Sequence, residues 1–501
     1  MLSKLNQRML FGIVSGWGSQ LFSLCLGLFT YPLFFRYLPH EELAVWLFFL
    51  GTSVFINLAD FGFSPVLGRH LAFELGKGDR TASQNIEGAA HFFSLARHVS
   101  SFTAAFLFLI LLGVGGFFLY LMDLPETLLK PAFLGWVVYT LSQAVSCHFR
   151  YLETTLNGYG EVGWQNLLQV VVQVLALLGY FTVLTLNLGG ILALATVFLA
   201  RSLLLAAGCR LLVAWRLSPG VIQPVKVAWS DLKPHIRPAL DLFLITLGAF
   251  LILNTNQYFI VLFIGADALP DYSAACRLIQ VVYTFATTAS LICTPFISRL
   301  SASGQIQSVH KLLMVNTTVG MLIQLAGVCM IAVFGDYLLA FWIGPGHFVG
   351  WPIIWVLCLL FTLENHHVIF ARFGMNFRTD PSWGKVSVIA GLLNLILSYV
   401  GGCCLGLLGI AMATMVTQML TNNWYAIWKT LRIVGLKFSD YIRNSGSVWL
   451  PSGCLLLALL TIIRYLIMPP LVAVGMAVMA TAALFSSILY QYARKNKAAL
   501  V

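Results

Sequence analysis

The sequence predicts an all-α polytopic membrane protein of about fourteen transmembrane helices, and three observations lead there. Of 501 residues, 59% are hydrophobic and only 9% are charged, which is too apolar for a soluble domain. Apolar runs of about 20 residues, the length that crosses a bilayer, recur along the whole chain. They begin near Leu10, Leu43, Ser100, Ala132, Trp164, Gly189, Ala239, Tyr272, Leu312, Trp351, Val386, Gly406, Ser445 and Leu471. The third observation is charge sidedness. With the N-terminus in the cytoplasm, the inner loops and helix ends hold about 22 Lys and Arg. The outer side holds only Arg36, Lys130 and Arg464. The net charge of +11 therefore follows topology and does not point to nucleic acid. An even helix count returns the basic C-terminus to the cytoplasm.

Each element has its own signal. Lys4 and Arg8 precede the first run, which has no small-residue cleavage site and continues past Pro32 to Tyr37. It reads as a spanning helix, not a removed leader. A short outer loop, 39–42, leads to helix 2. Helix 2 ends in residues 57–71, NLADFGFSPVLGRHL, where a turn is expected at Ser64-Pro65 and Arg69 follows the proline by four. A basic inner loop, 69–87, has Gly76 and Gly78 as breakers. Helices 3 and 4 turn at Asp123-Leu124-Pro125, helix 4 ends at Asn157-Gly158, and helices 5 and 6 turn tightly at 187–190. The longest polar linker, 217–238, carries Pro219, Pro224, Pro234 and Pro238. Helix 7 is expected after it, with Asp241 as a candidate cap. Helix 8 is expected to end at Thr294-Pro295. Residues 336–350, DYLLAFWIGPGHFVG, read as a short amphipathic interfacial helix and a Gly-Pro turn. Helices 11 and 12 divide near Gly401-Gly402.

The chain also repeats itself. Arg299 follows Pro295 by four, as Arg69 follows Pro65, and both pairs are offset by 230. The hairpins upstream match more loosely: YPLFFRYLPHEELAVW from Tyr31, and YFIVLFIGADALPDYSAACRL from Tyr258. A duplicated bundle is a hallmark of secondary transporters. The expected organisation is an N-terminal lobe of helices 1–6 (1–216), a cytoplasmic linker (217–238) and a C-terminal lobe of helices 7–12 (239–430). Helices 13–14 (431–501) have no counterpart in the repeat.

The exit DFGFSPVLGRHL, the two hairpins and the segment FWIGPGHF resemble the polysaccharide flippase family, of the O-antigen type. That family belongs to the superfamily that also holds the multidrug-and-toxin-extrusion carriers. The resemblance covers helices 1 to 12. It implies two six-helix lobes related by a pseudo-twofold axis and opening alternately to either side. It further implies a bacterial inner-membrane protein of lipopolysaccharide or other polysaccharide biosynthesis. Such a protein moves an undecaprenyl-diphosphate-linked oligosaccharide from the inner to the outer leaflet. H+ or Na+ coupling and polysaccharide polymerase partners belong to the same implication. Members often carry an acidic residue near Asn256, where this chain has the neutral pair Asn256-Gln257. The extra helix pair is similar to that of the fourteen-helix lipid II flippases.

Ionisable side chains inside a membrane are costly and usually face a cavity or a partner. Arg150, Arg201 and Arg277, from helices 4, 6 and 8, are the expected substrate contacts, with His148 within reach of the same cavity. A lipid diphosphate is at least dianionic, and Arg offers fork geometry to phosphate oxygens. Each has a plainer reading: an Arg150–Glu153 pair, snorkelling or pairing of Arg201, and interfacial anchoring of Arg277. Asp60, Glu153, Asp241, Glu364 and His367 are the candidates for coupling or gating. Asp60 would otherwise cap a helix or pair with Arg69. Glu364-Asn365-His366-His367 would be either a proton relay or a satisfied polar cluster. Arg69 and Arg299 are expected to meet headgroups at the inner surface.

No catalytic residue, cofactor or metal site is expected. Residues 158–163, GYGEVG, match a dinucleotide fingerprint by letter but link two membrane helices, not a strand and a helix. The ten cysteines include no CxxC and read as small hydrophobes, the vicinal Cys403-Cys404 among them. A lipid-linked glycosyltransferase using Glu41-Glu42 would need extramembrane surface that the chain lacks. A cation-coupled multidrug antiporter of the same fold is the nearer rival. Carboxylates in the cavity would favour the antiporter, and arginines favour the flippase.

Overall fold

The structure is a computed structural model that describes residues 2–75, 82–377, 380–466 and 469–495. Gly76, Gly78, Lys77, Arg80, Arg378 and Lys497 lie outside the described residues, as do the side chains of Lys4, Arg8, Thr294, Pro295, Arg494 and Lys495. Every regular element among the described residues is helical. The chain divides into two compact units, 1–250 with 265–269, and 251–264 with 270–501.

The first unit opens with α1 (Leu2–Tyr37) and α2 (His40–Thr52), then α3 (Phe55–Ala59) and α4 (Phe63–Leu75). It continues through α5 (Ala82–Leu121), α6 (Glu126–His148), α7 (Arg150–Gly158), α8 (Val162–Thr185) and α9 (Gly190–Arg216). It closes with most of α10 (Trp229–Leu253). Buried aromatics hold this bundle: Phe49 against Trp136 at 4.8 Å, Tyr139 against Phe198 at 4.9 Å, and Phe34 against Trp46 at 5.8 Å. In lipid, such packing replaces the hydrophobic drive between helices, and each pair adds about 0.5–1.5 kcal/mol.

The second unit holds α11 (Asn256–Phe263), α12 (Leu269–Ala302), α13 (Ile306–Ile343), α14 (Trp351–Phe377), α15 (Ser382–Leu420) and α16 (Asn422–Val434). It ends with α17 (Phe438–Tyr441), α18 (Ser447–Tyr465) and α19 (Pro470–Lys495). The α18–α19 pair packs on α13 through Leu322, Phe334, Leu456, Leu460 and Ala477. Arg464 of α18 forms a two-pronged pair with Asp336, both bonds 2.7 Å, and lies 4.2 Å over the Tyr337 ring.

Eleven helical stretches among the described residues are long and apolar enough to cross a membrane. One of them, 382–434, contains Gly406 at φ 59° and ψ −136°, where the chain folds back. A Cβ on Gly409 would sit 2.0 Å from the Gly401 carbonyl oxygen, so the two arms meet backbone to backbone. Two further long helices, α6 of 23 residues and α12 of 34, fall outside the eleven.

Several boundaries differ from expectation. The division of helices 11 and 12 lies at Gly406, not at Gly401-Gly402, which form the close contact instead. Residues 336–343 are no separate interfacial helix but the end of α13, which runs unbroken to Gly344 at φ 104°. The third helix begins at Ala82, well before Ser100, so it projects beyond the bilayer. Neither proline marks a helix end: Pro65 is the third residue of α4, and Pro295 stands inside α12. α10 starts at Trp229 and carries Pro234 and Pro238 within it. Asp241 is therefore in mid-helix and cannot be its cap.

Candidate functional site

In the first unit the polar site is built on a broken helix. The chain leaves α2 at Thr52, makes the single turn α3, and reverses through Phe61 at φ 49° and Gly62 at φ 77°. A Cβ at Gly62 would lie 2.4 Å from the Ala239 carbonyl oxygen of α10, so only glycine fits. A broken helix leaves carbonyls that lipid cannot satisfy. Arg150 covers them: Nη1 donates to the Ile56 carbonyl at 3.1 Å and Nη2 to Asn57 Oδ1 at 2.9 Å. Its guanidinium also lies 3.8 Å from the buried carboxylate of Asp60. Asp60 in turn accepts the Ser64 N–H at 3.1 Å and the Ser64 hydroxyl, which caps α4. The carboxylate's ion-pair partner is thus Arg150, not Arg69, which stands exposed on α4.

A second break shapes helix 4. Phe149, at φ −83° and ψ 2°, separates α6 from α7, so His148 and Arg150 leave on different sides. His148 Nδ1 is 3.3 Å from the Ser101 hydroxyl of α5. Glu153 accepts a bond of 3.1 Å from Gln165 Nε2. Among the described residues, Glu153 makes no ion pair with Arg150, whose fork is taken by α3 and Asp60. Arg201, midway along α9, has its guanidinium 5.3 Å over the Phe198 ring and no carboxylate at ion-pair distance among the described residues.

The second unit has its own broken helix, between Leu253 and Asn256. Here Asn394 of α15 supplies the missing donors, to the Leu251 carbonyl at 2.9 Å and the Ile252 carbonyl at 3.3 Å. Asn256 donates to the Tyr272 hydroxyl at 2.9 Å and accepts from Thr414 at 3.1 Å. Arg277 lies half-buried on α12, about 12 Å along the helix from Leu269. Arg299 is exposed near the end of the same helix.

The run 364–367 fans out in several directions. Glu364 is buried, bonds Gln418, and lies within electrostatic reach of His367 and Arg372. Asn365 Nδ2 donates to the Gly320 carbonyl at 3.1 Å. His366 is bonded to the Tyr441 hydroxyl at 2.5 Å, and His367 Nδ1 to the Asn422 carbonyl at 3.0 Å. Arg372 donates to the Thr287 carbonyl at 2.8 Å. Between α14 and α15, Asp380 pairs with Lys429 at 2.6 Å and accepts the Ser382 N–H at 2.9 Å. The Lys429 ammonium, with Ser382, holds the Asp380 carboxyl well below the usual carboxylate range.

The sequence reading passed over Asn394, Gln165 and Gln418. A lone amide within an apolar run such as GLLNLILSY was the available signal. Arg97 and His98 were missed because they stand just ahead of the expected start of helix 3.

These helices match known transporters in three dimensions. The lipid II flippase MurJ, in an inward closed conformation, superposes with a TM-score of 0.67 at 16% identity. The match covers 96% of this chain and 99% of that one. The fold is that of the MOP-superfamily transporters. An inward-facing multidrug resistance transporter of the MATE family, from the same superfamily, superposes with a TM-score of 0.64 at 15% identity over 85% of this chain and 96% of its own. In sequence, the chain is 23% identical over 259 residues to the probable low-salt glycan biosynthesis flippase Agl15 of Haloferax volcanii. That alignment takes in 50% of this chain, and the chain spans about half, 53%, of the curated relative. No family model matches the chain. The resemblance to polysaccharide flippases read from the motifs thus has a glycan flippase as its curated counterpart, and the chain is a multi-pass membrane protein.

Proposed function

We propose that this protein flips an undecaprenyl-diphosphate-linked oligosaccharide from the inner to the outer leaflet of a bacterial inner membrane by alternating access. The observation that carries the reading is the state of the charges in the first unit. Two of its carboxylates are engaged, Asp60 by Ser64 and Arg150, and Glu153 by Gln165. Arg201 has no carboxylate partner among the described residues. A half-buried cation with no carboxylate at ion-pair distance among the described residues, sensed only from afar by Glu153, leaves room for a visiting anion. A lipid diphosphate is such an anion, and Arg201, Arg277 and Arg150, with His148, would meet it in turn. Arg69 and Arg299, both exposed, would gather the headgroup at the inner surface. The MurJ match extends over more of the chain, 96% against 85% for the MATE transporter, so its fold includes the additional C-terminal helices.

A cation-coupled multidrug antiporter is the second reading. The MATE neighbours favour it, as does Glu364, a buried carboxylate near His367 that could take H+ or Na+. Asp60, Glu153 and Asp241 would be further coupling or gating groups. Asn256, saturated by Tyr272 and Thr414, is a poor ion ligand. Polysaccharide polymerases would be partners of the flippase alone.

The test is glycan export in a complemented deletion strain. Arg201→Ala and Arg277→Ala should abolish export at normal expression. Arg201→Lys should restore it only in part, because a point charge lacks the fork. Full export by both alanine variants would sink the flippase reading and favour the antiporter. Reporter fusions test the orientation: residues near 225 and the C-terminus should report cytoplasm, and His347 periplasm.

A further inference from the structure

A cavity of about 390 Å³ opens beside α5, lined by Ser94, Arg97, His98 and Ser101 on the helix and by Pro224 and Val225 of the segment after α9. None of the arginines of the proposed transport path lines it. Its depth is set by the helix itself. From Phe102 to Tyr120 the outward face of α5 is apolar and exposed, with Phe106, Leu109 and Phe117 between. Those 18 steps rise about 27 Å, close to the hydrocarbon thickness of about 30 Å. Arg97 and His98 lie about one turn beyond that band, where headgroup phosphates sit, at the end of α5 that leads to the basic loops.

The polar groups are arranged to receive an anion. Arg97 is exposed and has no carboxylate at ion-pair distance among the described residues. His98 Nδ1 donates to the Ser94 carbonyl at 2.7 Å, which fixes the ring at the cavity wall, and Nε2 donates to an anion when the ring is imidazolium. The Ser94 hydroxyl accepts the Val225 N–H at 3.0 Å, which pins the cavity's far wall to α5. The Ser101 hydroxyl bonds the Arg97 carbonyl at 2.7 Å and approaches His148, and Arg97 lies within electrostatic reach of that ring. No acidic residue lines the cavity among the described residues.

We propose that this cavity is a resident site for the phosphate of an anionic membrane phospholipid, held by Arg97, His98 and the Ser94 hydroxyl with its acyl chains along the apolar face of α5. The phosphate chemistry would also suit free inorganic phosphate, and the experiment separates the two. Full-length protein is placed in nanodiscs of phosphatidylcholine, with and without phosphatidylglycerol, and retained lipid is read by native mass spectrometry. The wild type should keep phosphatidylglycerol selectively, and the Arg97→Gln, His98→Gln double variant should lose about tenfold in retention, the usual scale for charge-assisted bonds. Arg97→Lys should keep part of it. Inorganic phosphate added to the mixed discs should not displace the lipid. Equal retention by wild type and double variant overturns the proposal, and so does displacement by inorganic phosphate. Independently of any variant, phosphatidylglycerol with a photoreactive headgroup should crosslink to both 93–101 and 222–225 in the wild type. Absence of those crosslinks overturns the proposal as well.

Discussion

The first hairpin and the second begin from matched sequence but break in different places. In the first, α1 runs unbroken to Tyr37 and its partner breaks after Thr52. In the second, the first arm breaks between Leu253 and Asn256, and α12 runs unbroken through Pro295. Both breaks need outside donors, because lipid offers none to a freed carbonyl. The first takes them from a charged side chain, Arg150, which brings an ion pair to Asp60. The second takes them from a neutral amide, Asn394. One unit thus holds its kink with a fixed charge, and the other with a neutral amide.

That contrast can be broken by mutation. The largest effect is expected at Arg150. Arg150→Ala leaves Asp60 buried without its cation and the Ile56 carbonyl without its donor. It should cost about 3 kcal/mol or more, read as a large drop in thermal stability of the purified protein. Arg150→Lys should recover little, since one ammonium cannot serve the carbonyl, the amide and the carboxylate together. If Arg150→Ala unfolds like wild type, the kink is not held by charge.

Asn394→Ala should cost less, about 1–3 kcal/mol, by leaving two carbonyls short of a donor. Asn394→Asp should be at least as damaging, because a carboxylate cannot donate. An aspartate that proves harmless would show that the second kink does not depend on that bond. The smallest effect is expected at Asp380, which lies between the spans and pairs with Lys429. Because the folded carboxyl titrates below its ordinary value, its contribution is fully present above the unfolded Asp value of about 3.9. It is lost as pH falls through the depressed folded value. Asp380→Asn should therefore lower the melting temperature slightly at pH 7, and the gap to wild type should close in acid. A gap that widens in acid would contradict the assignment.

By itself the sequence determined the spans, the two hairpins and the residues that had to be polar within the membrane. Hydropathy and charge sidedness act over about 20 residues at a time, and these features are written at that scale. Asp60, Arg150 and Glu364 were legible because an ionisable group in an apolar run is conspicuous. Their partners were not. Arg150 meets a carbonyl 94 positions away, and Asn394 one 143 positions away. Sequence spacing favoured the nearer pairs, Arg150 with Glu153 and Asp60 with Arg69, because helix periodicity sees only neighbours three and four apart. Only tertiary packing decided where each helix breaks, since a break survives in lipid only where a distant side chain arrives to satisfy it.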